Sequence, residues 1–296
     1  MSEARKQTIV RGTQAYEDKF IAFVDILGFT DLVERPASVE YILELTGKFG
    51  SSKEEDFARY GPATCPCAPH DARDLNFRVT QISDCAVISA EVSPAGLINL
   101  VHHCYKIAFR FLKAGHTCIG YITRGDIYHT DAQFFGPGYQ RAYDHASKGK
   151  VLIFQRNAAD KGTPFIEIDS DVCRYVAEQP DNCVKTVFGK LTESDGKSTA
   201  IWPFFAIETM LDIAIAQDLD AEGLRAQVQM VCDNILRLLS QLENAKATAN
   251  NGGRRKIEHI ERKLREVLDL KDKHLEVIDF LSQPLSPALN VRRLDK

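Results

Sequence analysis

The patterned part of the chain opens with Phe20-Ile-Ala-Phe-Val24, a continuous apolar, β-rich run of the kind buried on both faces of a sheet, and it stops at Asp25. After Gly28 the pattern turns helical and is interrupted at Pro36. Ser51–Asp74 is polar, carries Gly61, Pro62, Pro66 and Pro69, and reads as a long loop. Phe77–Ile82 and Cys85–Ala90 are β-rich runs separated by Ser83-Asp84, which predicts a hairpin. From Pro94 to Lys113, Leu97, Leu100, Val101, Cys104, Ile107, Ala108 and Phe111 recur at helical spacing, with Pro94 near the start and Gly115 just past the end. Thr117–Thr123 reads as a strand and Ile127–Thr130 as its continuation. Tyr139–Ser147 reads as a helix after Gly136-Pro137-Gly138, and Phe165–Ile168 and Lys185–Phe188 as late strands.

Beyond residue 205 the texture changes. Phe205–Ala216 and Ala221–Leu242 are helical in pattern, and after Asn250-Asn-Gly-Gly253 a third helical pattern runs from Arg254 to Leu281. We therefore divide the chain into an N-terminal segment (1–17), an α/β domain (18–205) and a helical extension (206–296) suited to packing or dimerisation. The tail from Pro284 is expected to be loosely ordered. The order strand, helix, hairpin, helix, strand is that of a ferredoxin-like α/β (α+β) sandwich with extra strands.

Composition narrows the function classes. A net charge of −4 and a pI near 6.1 do not suit a nucleic-acid binder. The basic residues from Arg254 to Arg265 alternate with Glu258 and Glu261, as on a solvated helix face. No apolar run is long enough to span a bilayer, and the first residues lack a signal-peptide pattern, so a cytoplasmic protein is expected. The eight cysteines are scattered and read as free thiols. Cys65-Pro66-Cys67 with His70 lacks zinc-knuckle spacing and reads as a surface loop.

Two acidic residues carry the candidate chemistry. Asp25 sits where a buried strand ends, three residues before Gly28, which permits a tight turn into a helix. Backbone N–H groups at such a helix start hold phosphate oxygens. A carboxylate beside a phosphate cradle is repulsive unless a cation lies between them, so Asp25 implies a divalent metal. Asp84, at the tip of the hairpin, could complete that site, and two carboxylates with a triphosphate are what two-metal phosphoryl chemistry requires. Taken singly, Asp25 also suits a helix cap and Asp84 a turn. His102 and His103 read as structural or surface residues, His129 and His145 are not taken as bases, Tyr139 and Tyr143 suit helix packing, and Phe134-Phe135 suits the core.

Phe23-Val-Asp-Ile-Leu-Gly-Phe-Thr30 resembles the first metal motif of the class III adenylyl and guanylyl cyclases, and Gln81-Ile-Ser-Asp84 resembles their second. Arg124-Gly-Asp-Ile127 looks like their following strand, and Phe135-Gly-Pro-Gly-Tyr-Gln-Arg-Ala142 like the segment entering their last active-site helix. The resemblance covers residues 18–150 in the family's motif order. It implies a class III catalytic domain in which Asp25, Asp84 and the Ile26 carbonyl bind two divalent ions, Mn²⁺ or Mg²⁺. It further implies that Gly28, Phe29 and Thr30 hold the β- and γ-phosphates of a nucleoside triphosphate. The family's active sites lie between subunits, so a head-to-tail homodimer is implied, without nucleic acid or membrane as partner.

Three positions depart from the purine cyclases. Thr80 stands where they read the base with Lys or Glu, Gln140 where they bind ribose with Asn, and Asp144 where they bind phosphate with Arg. Arg124 or Arg141 could substitute for that Arg. These departures are most like the pyrimidine cyclases of the bacterial antiphage Pycsar system, which implies conversion of UTP, or CTP, to the 3′,5′-cyclic nucleotide and pyrophosphate. A purine cyclase and a catalytically degenerate nucleotide-binding module are the alternatives.

Overall fold

The computed structural model describes residues 15–34, 38–51, 75–148, 165–194, 196–204 and 220–282. The Cys65–Cys67 loop with His70, the helix expected at Phe205–Ala216 and the tail from Pro284 lie outside the described residues.

Eight strands form one mixed, mostly antiparallel sheet in the order β2-β3-β1-β4-β6-β8-β7, with β5 pairing β4. The strands are β1 (Glu17–Ile26), β2 (Arg78–Ile82), β3 (Cys85–Glu91), β4 (Cys118–His129), β5 (Phe134–Phe135), β6 (Ile166–Ile168), β7 (Thr192–Ser194) and β8 (Thr199–Ile201). Among the described residues only the β4–β6 pairing is parallel. Thr117–Thr123 and Ile127–Thr130, read as two pieces, form the single strand β4, because β1 pairs along nearly all of it, from Glu17↔Ile127 to Ile26↔Cys118.

Helices α1 (Phe29–Glu34) and α2 (Val39–Thr46) precede the β2–β3 hairpin, and α3 (Pro94–Lys113) connects β3 to β4. Ser93 caps α3, accepting from the Gly96 N–H at 3.0 Å. Helix α4 (Pro137–Lys148) follows β5, and α5 (Ser170–Glu178) follows β6. Lys185–Phe188, expected as a strand, lies instead in helix α6 (Asn182–Leu191). Asp181 caps its start through Cys183 N–H, and Val184, Phe188 and Leu191 fall at helical spacing into the core.

Strand alternation sorts β1 onto two faces. Phe20, Ala22, Val24 and Ile26 enter the main core with α3, α5 and α6. Ile21 and Phe23 face α4, in a second cluster with Val87, Tyr121, Ile127, Ala142 and Ala146. Helix α4 sits close on this face because Gly138 carries no side chain: a Cβ there would come within 2.4 Å of Ile21 Cδ1. Asp25 shares the parity of Ile21 and Phe23 and so belongs to the α4 face.

The extension comprises α7 (Ala221–Thr248), α8 (Asn251–Asp269) and α9 (Lys271–Ser282). The pattern read as one helix from Arg254 divides at Leu270 into α8 and α9. The extension is not a detached appendage. Ile235, Leu238 and Leu242 of α7 and Ile260 and Leu264 of α8 share one core with Phe165, Trp202 and Phe204. Lys246 of α7 clamps α8 through Glu261 (3.0 Å) and Glu258 (3.5 Å). Among the described residues no helix is long and apolar enough to cross a membrane.

Candidate active site

Asp25 is the penultimate residue of β1, between Cys85 of β3 and Ile119 of β4. The hairpin places Asp84 next to it: Ile26 N–H donates to the Asp84 backbone carbonyl at 3.0 Å. One residue on, Leu27 N–H donates to the Thr117 carbonyl at 2.9 Å, so the end of β1 is pinned from both neighbouring strands. The chain then turns through Gly28, with φ +76°, into α1. Across the hairpin tip Ser83 also has positive φ, +54°, a conformation that favours glycine.

Both carboxylates are half-buried. Burial, and then the charge of Asp84, push the Asp25 carboxyl up from 3.8 to about 6, against a smaller opposing hydrogen bond from the Ile26 backbone. Among the described residues neither carboxylate has an ion-pair partner. Two acids that repel each other, one of them desolvated and neither neutralised, form an arrangement a divalent cation would relieve. The donor set, two carboxylates and nearby main-chain carbonyls, is hard oxygen and suits Mg²⁺ or Mn²⁺. Among the described residues no group of three or more His, Cys, Asp and Glu side chains converges on a metal position, so further ligands would come from backbone, solvent or substrate.

Of the other residues expected at the site, Ile26, Gly28, Phe29 and Thr30 lie on the turn that follows Asp25. Phe29 is buried in the main core, while Gly28 and Thr30 are exposed. Thr80 is on the same sheet face, opposite Val87, but is buried and its hydroxyl is engaged. It donates to the Thr130 carbonyl at 3.0 Å and therefore accepts from His129 Nε2–H at 3.1 Å. His129 Nδ1 in turn accepts from Ser89 Oγ at 2.8 Å. Burial, with Lys19 and Arg78, holds His129 neutral and lowers it to about 3.

Arg124 and Arg141, the cations expected at the site, are engaged elsewhere. Arg124 pairs opposite Phe20, on the main-core face, and is held by Asp18 at 2.7 Å. Arg141 donates to the Arg124 carbonyl at 3.1 Å. Gln140 donates to Asp144 on its own helix at 3.4 Å. Tyr139 and Tyr143 pack on Phe23, and His145 stacks on Tyr121 at 4.7 Å. His103 Nε2–H donates to the Phe49 carbonyl at 2.9 Å, a structural role. Phe134 joins the α4-face cluster, whereas Phe135, expected in the core, is half exposed because it stacks only on Tyr128 and the edge of Tyr16.

Sequence reasoning passed over Cys85. It stands directly opposite Asp25, and burial and the two carboxylates push its thiol up to about 11. Its place next to Asp84 was readable; its pairing with Asp25 depended on strand register. The chain matches no protein-family model, and no curated protein matches it.

Proposed function

We propose that this chain is a nucleotidyl cyclase of the class III type that closes a pyrimidine nucleoside triphosphate, UTP first and CTP next, into its 3′,5′-cyclic monophosphate. The observation that carries the reading is the meeting of two unneutralised carboxylates, Asp25 and Asp84, beside a left-handed glycine turn. The sheet order supports it: β2-β3-β1-β4 with helices after β1 and β3 is the ferredoxin-like order.

Asp25, Asp84 and the Ile26 carbonyl would hold two divalent ions. When bound, these neutralise charge on the α-phosphate and acidify the ribose 3′-hydroxyl. The N–H groups of Gly28, Phe29 and Thr30 would orient the β- and γ-phosphates. The ribose O3′ then bonds to the α-phosphorus, the bond to the bridging oxygen breaks, pyrophosphate leaves with its electron pair, and the O3′ proton passes to solvent.

Ile82 and Tyr143, exposed apolar residues on the face that carries Asp25, support a homodimer with its sites between subunits. A small Thr80 in place of a purine-reading Lys or Glu supports a pyrimidine. We propose a role in antiphage signalling on the same resemblance.

The test is incubation of purified protein with each of the four NTPs and Mn²⁺ or Mg²⁺, with cyclic products separated by chromatography. Cyclic UMP or cyclic CMP, lost in Asp25→Asn and Asp84→Asn, is the expected result; dominant cyclic AMP or GMP would move the reading to a purine cyclase. The coupling of Gln140 to Asp144 favours one other reading, a nucleotide-binding module without turnover. Tight NTP binding with no product under any metal would establish that instead.

A further inference from the structure

A cavity of about 500 Å³ lies between the Gly28 turn and the helical extension. Its size is that of a small-molecule site. Gly28 and Asp31 line one side, Tyr41 and His116 a second, and Asn244 and Thr248 of α7 a third. The same wall is mechanically joined to the turn. Gln241 of α7 lies against Gly115, where a Cβ would come within 2.7 Å of it, and the Thr117 carbonyl that closes this segment holds Leu27.

The chemistry of the lining selects a ligand. Among the described residues no Lys or Arg lines it. Burial, and then Lys48, lower His116 to about 4, so it is neutral at pH 7, and among the described lining residues Asp31 is the one carboxylate. A phosphate would meet the Asp31 carboxylate, while Lys48 is already paired with Glu44 at 3.0 Å and stands outside the lining. The carboxamides of Gln241, Asn244 and Asn250, the hydroxyls of Thr117 and Thr248, and two rings remain. Tyr41 Oη and His116 Nε2 are hydrogen-bonded at 2.5 Å, and the two rings, with centroids 6.0 Å apart and planes inclined at 50°, form an aromatic wall. Gln241 Oε1 is enclosed with no hydrogen-bond partner among the described residues, an unmet acceptor that a donor-bearing ligand would satisfy once the amide turns.

The geometry points to a second ligand site here, taking an uncharged nucleoside, whose base lies against the Tyr41–His116 rings and the Asn244 amide and whose ribose hydroxyls donate to Asp31. A ligand seated there touches Gly28 and bridges the turn to α7. The site does not depend on the carboxylates of the proposed catalytic centre.

Isothermal titration of the full chain with uridine, cytidine, adenosine and guanosine, in EDTA, tests it. At least one nucleoside is expected to bind one-to-one. Its 5′-triphosphate is expected to bind at least tenfold more weakly without metal. Thr248→Phe, an exposed position at the cavity mouth, and Asn244→Leu should each weaken the nucleoside at least tenfold while leaving the far-UV spectrum unchanged. Asp25→Ala should leave nucleoside binding intact, which separates this site from the proposed catalytic one. No saturable binding by any nucleoside, undiminished binding in both α7 variants, or equal metal-free binding of nucleoside and triphosphate would each overturn the assignment.

Discussion

Replacing Asp25 by Asn removes a charge that the fold holds at a cost. In the folded chain the carboxyl titrates at about 6 rather than 3.8, chiefly through burial and then through Asp84. A difference of that size corresponds to about 3 kcal/mol against the ionised form. Asp25 is only partly enclosed, and solvent screening brings this to about 1–2 kcal/mol. The sign follows from linkage. Below pH 3.8 the group is protonated in both folded and unfolded chains and costs nothing; the cost grows between pH 3.8 and 6 and is complete above 6. Metal-free Asp25→Asn should therefore be more stable than wild type by about 1–2 kcal/mol at pH 7.5, and equal to it at pH 3.5. Urea unfolding followed by the fluorescence of Trp202, the single tryptophan, measures both. Mn²⁺ should then raise the midpoint of wild type and leave Asp25→Asn unmoved. A variant less stable than wild type at pH 7.5 without metal, or a difference that does not change with pH, would refute the claim that Asp25 is an unneutralised carboxylate.

Gly28→Ala meets no atom within 4 Å but forces alanine to φ +76°, so it should cost about 1 kcal/mol in urea and weaken metal–triphosphate binding; unchanged stability and affinity would count against the turn. Lys246→Met leaves the nearly buried Glu261 without its cation and should cost about 1–2 kcal/mol by chemical denaturation, whereas a neutral result would mean that the α7–α8 clamp is ornamental. His102, His116 and His129 are lowered to about 4, about 4 and about 3, chiefly by burial, and stay neutral when folded while the unfolded chain protonates below about 6.5. Stability should accordingly fall from pH 7 to pH 5, by about 1–2 kcal/mol for each histidine, outweighing the opposite trend of Asp25; an equal or higher midpoint at pH 5 would contradict it.

Much of the sheet was legible because its period was local. The apolar run of β1, the two-residue break of the hairpin and the capped stripe of α3 each fix an element without knowledge of the rest. Lys185–Phe188 misled because a four-residue apolar pair fits either period, and the deciding signal, Asp181 as a cap, lay outside the window. At the site, Asp25, Asp84 and Gly28 were readable because each ends or turns an element. The positions of Arg124 and Gln140 were not, because a residue's face depends on strand register and helix rotation. Arg124 has the parity of Phe20 rather than that of Asp25, and only the β1–β4 register shows this.

The core shared by Trp202, Phe204, α7 and α8 bears on how the chain is made. A nascent polypeptide that has just released β8 from the ribosome presents Phe165, Trp202 and Phe204 to solvent, and their covering side chains, as far as Val267, are still to be synthesised. Biogenesis thus finishes at the C-terminal side, and a product cut at residue 205 would emerge with a sticky, unsealed flank rather than as a self-sufficient domain.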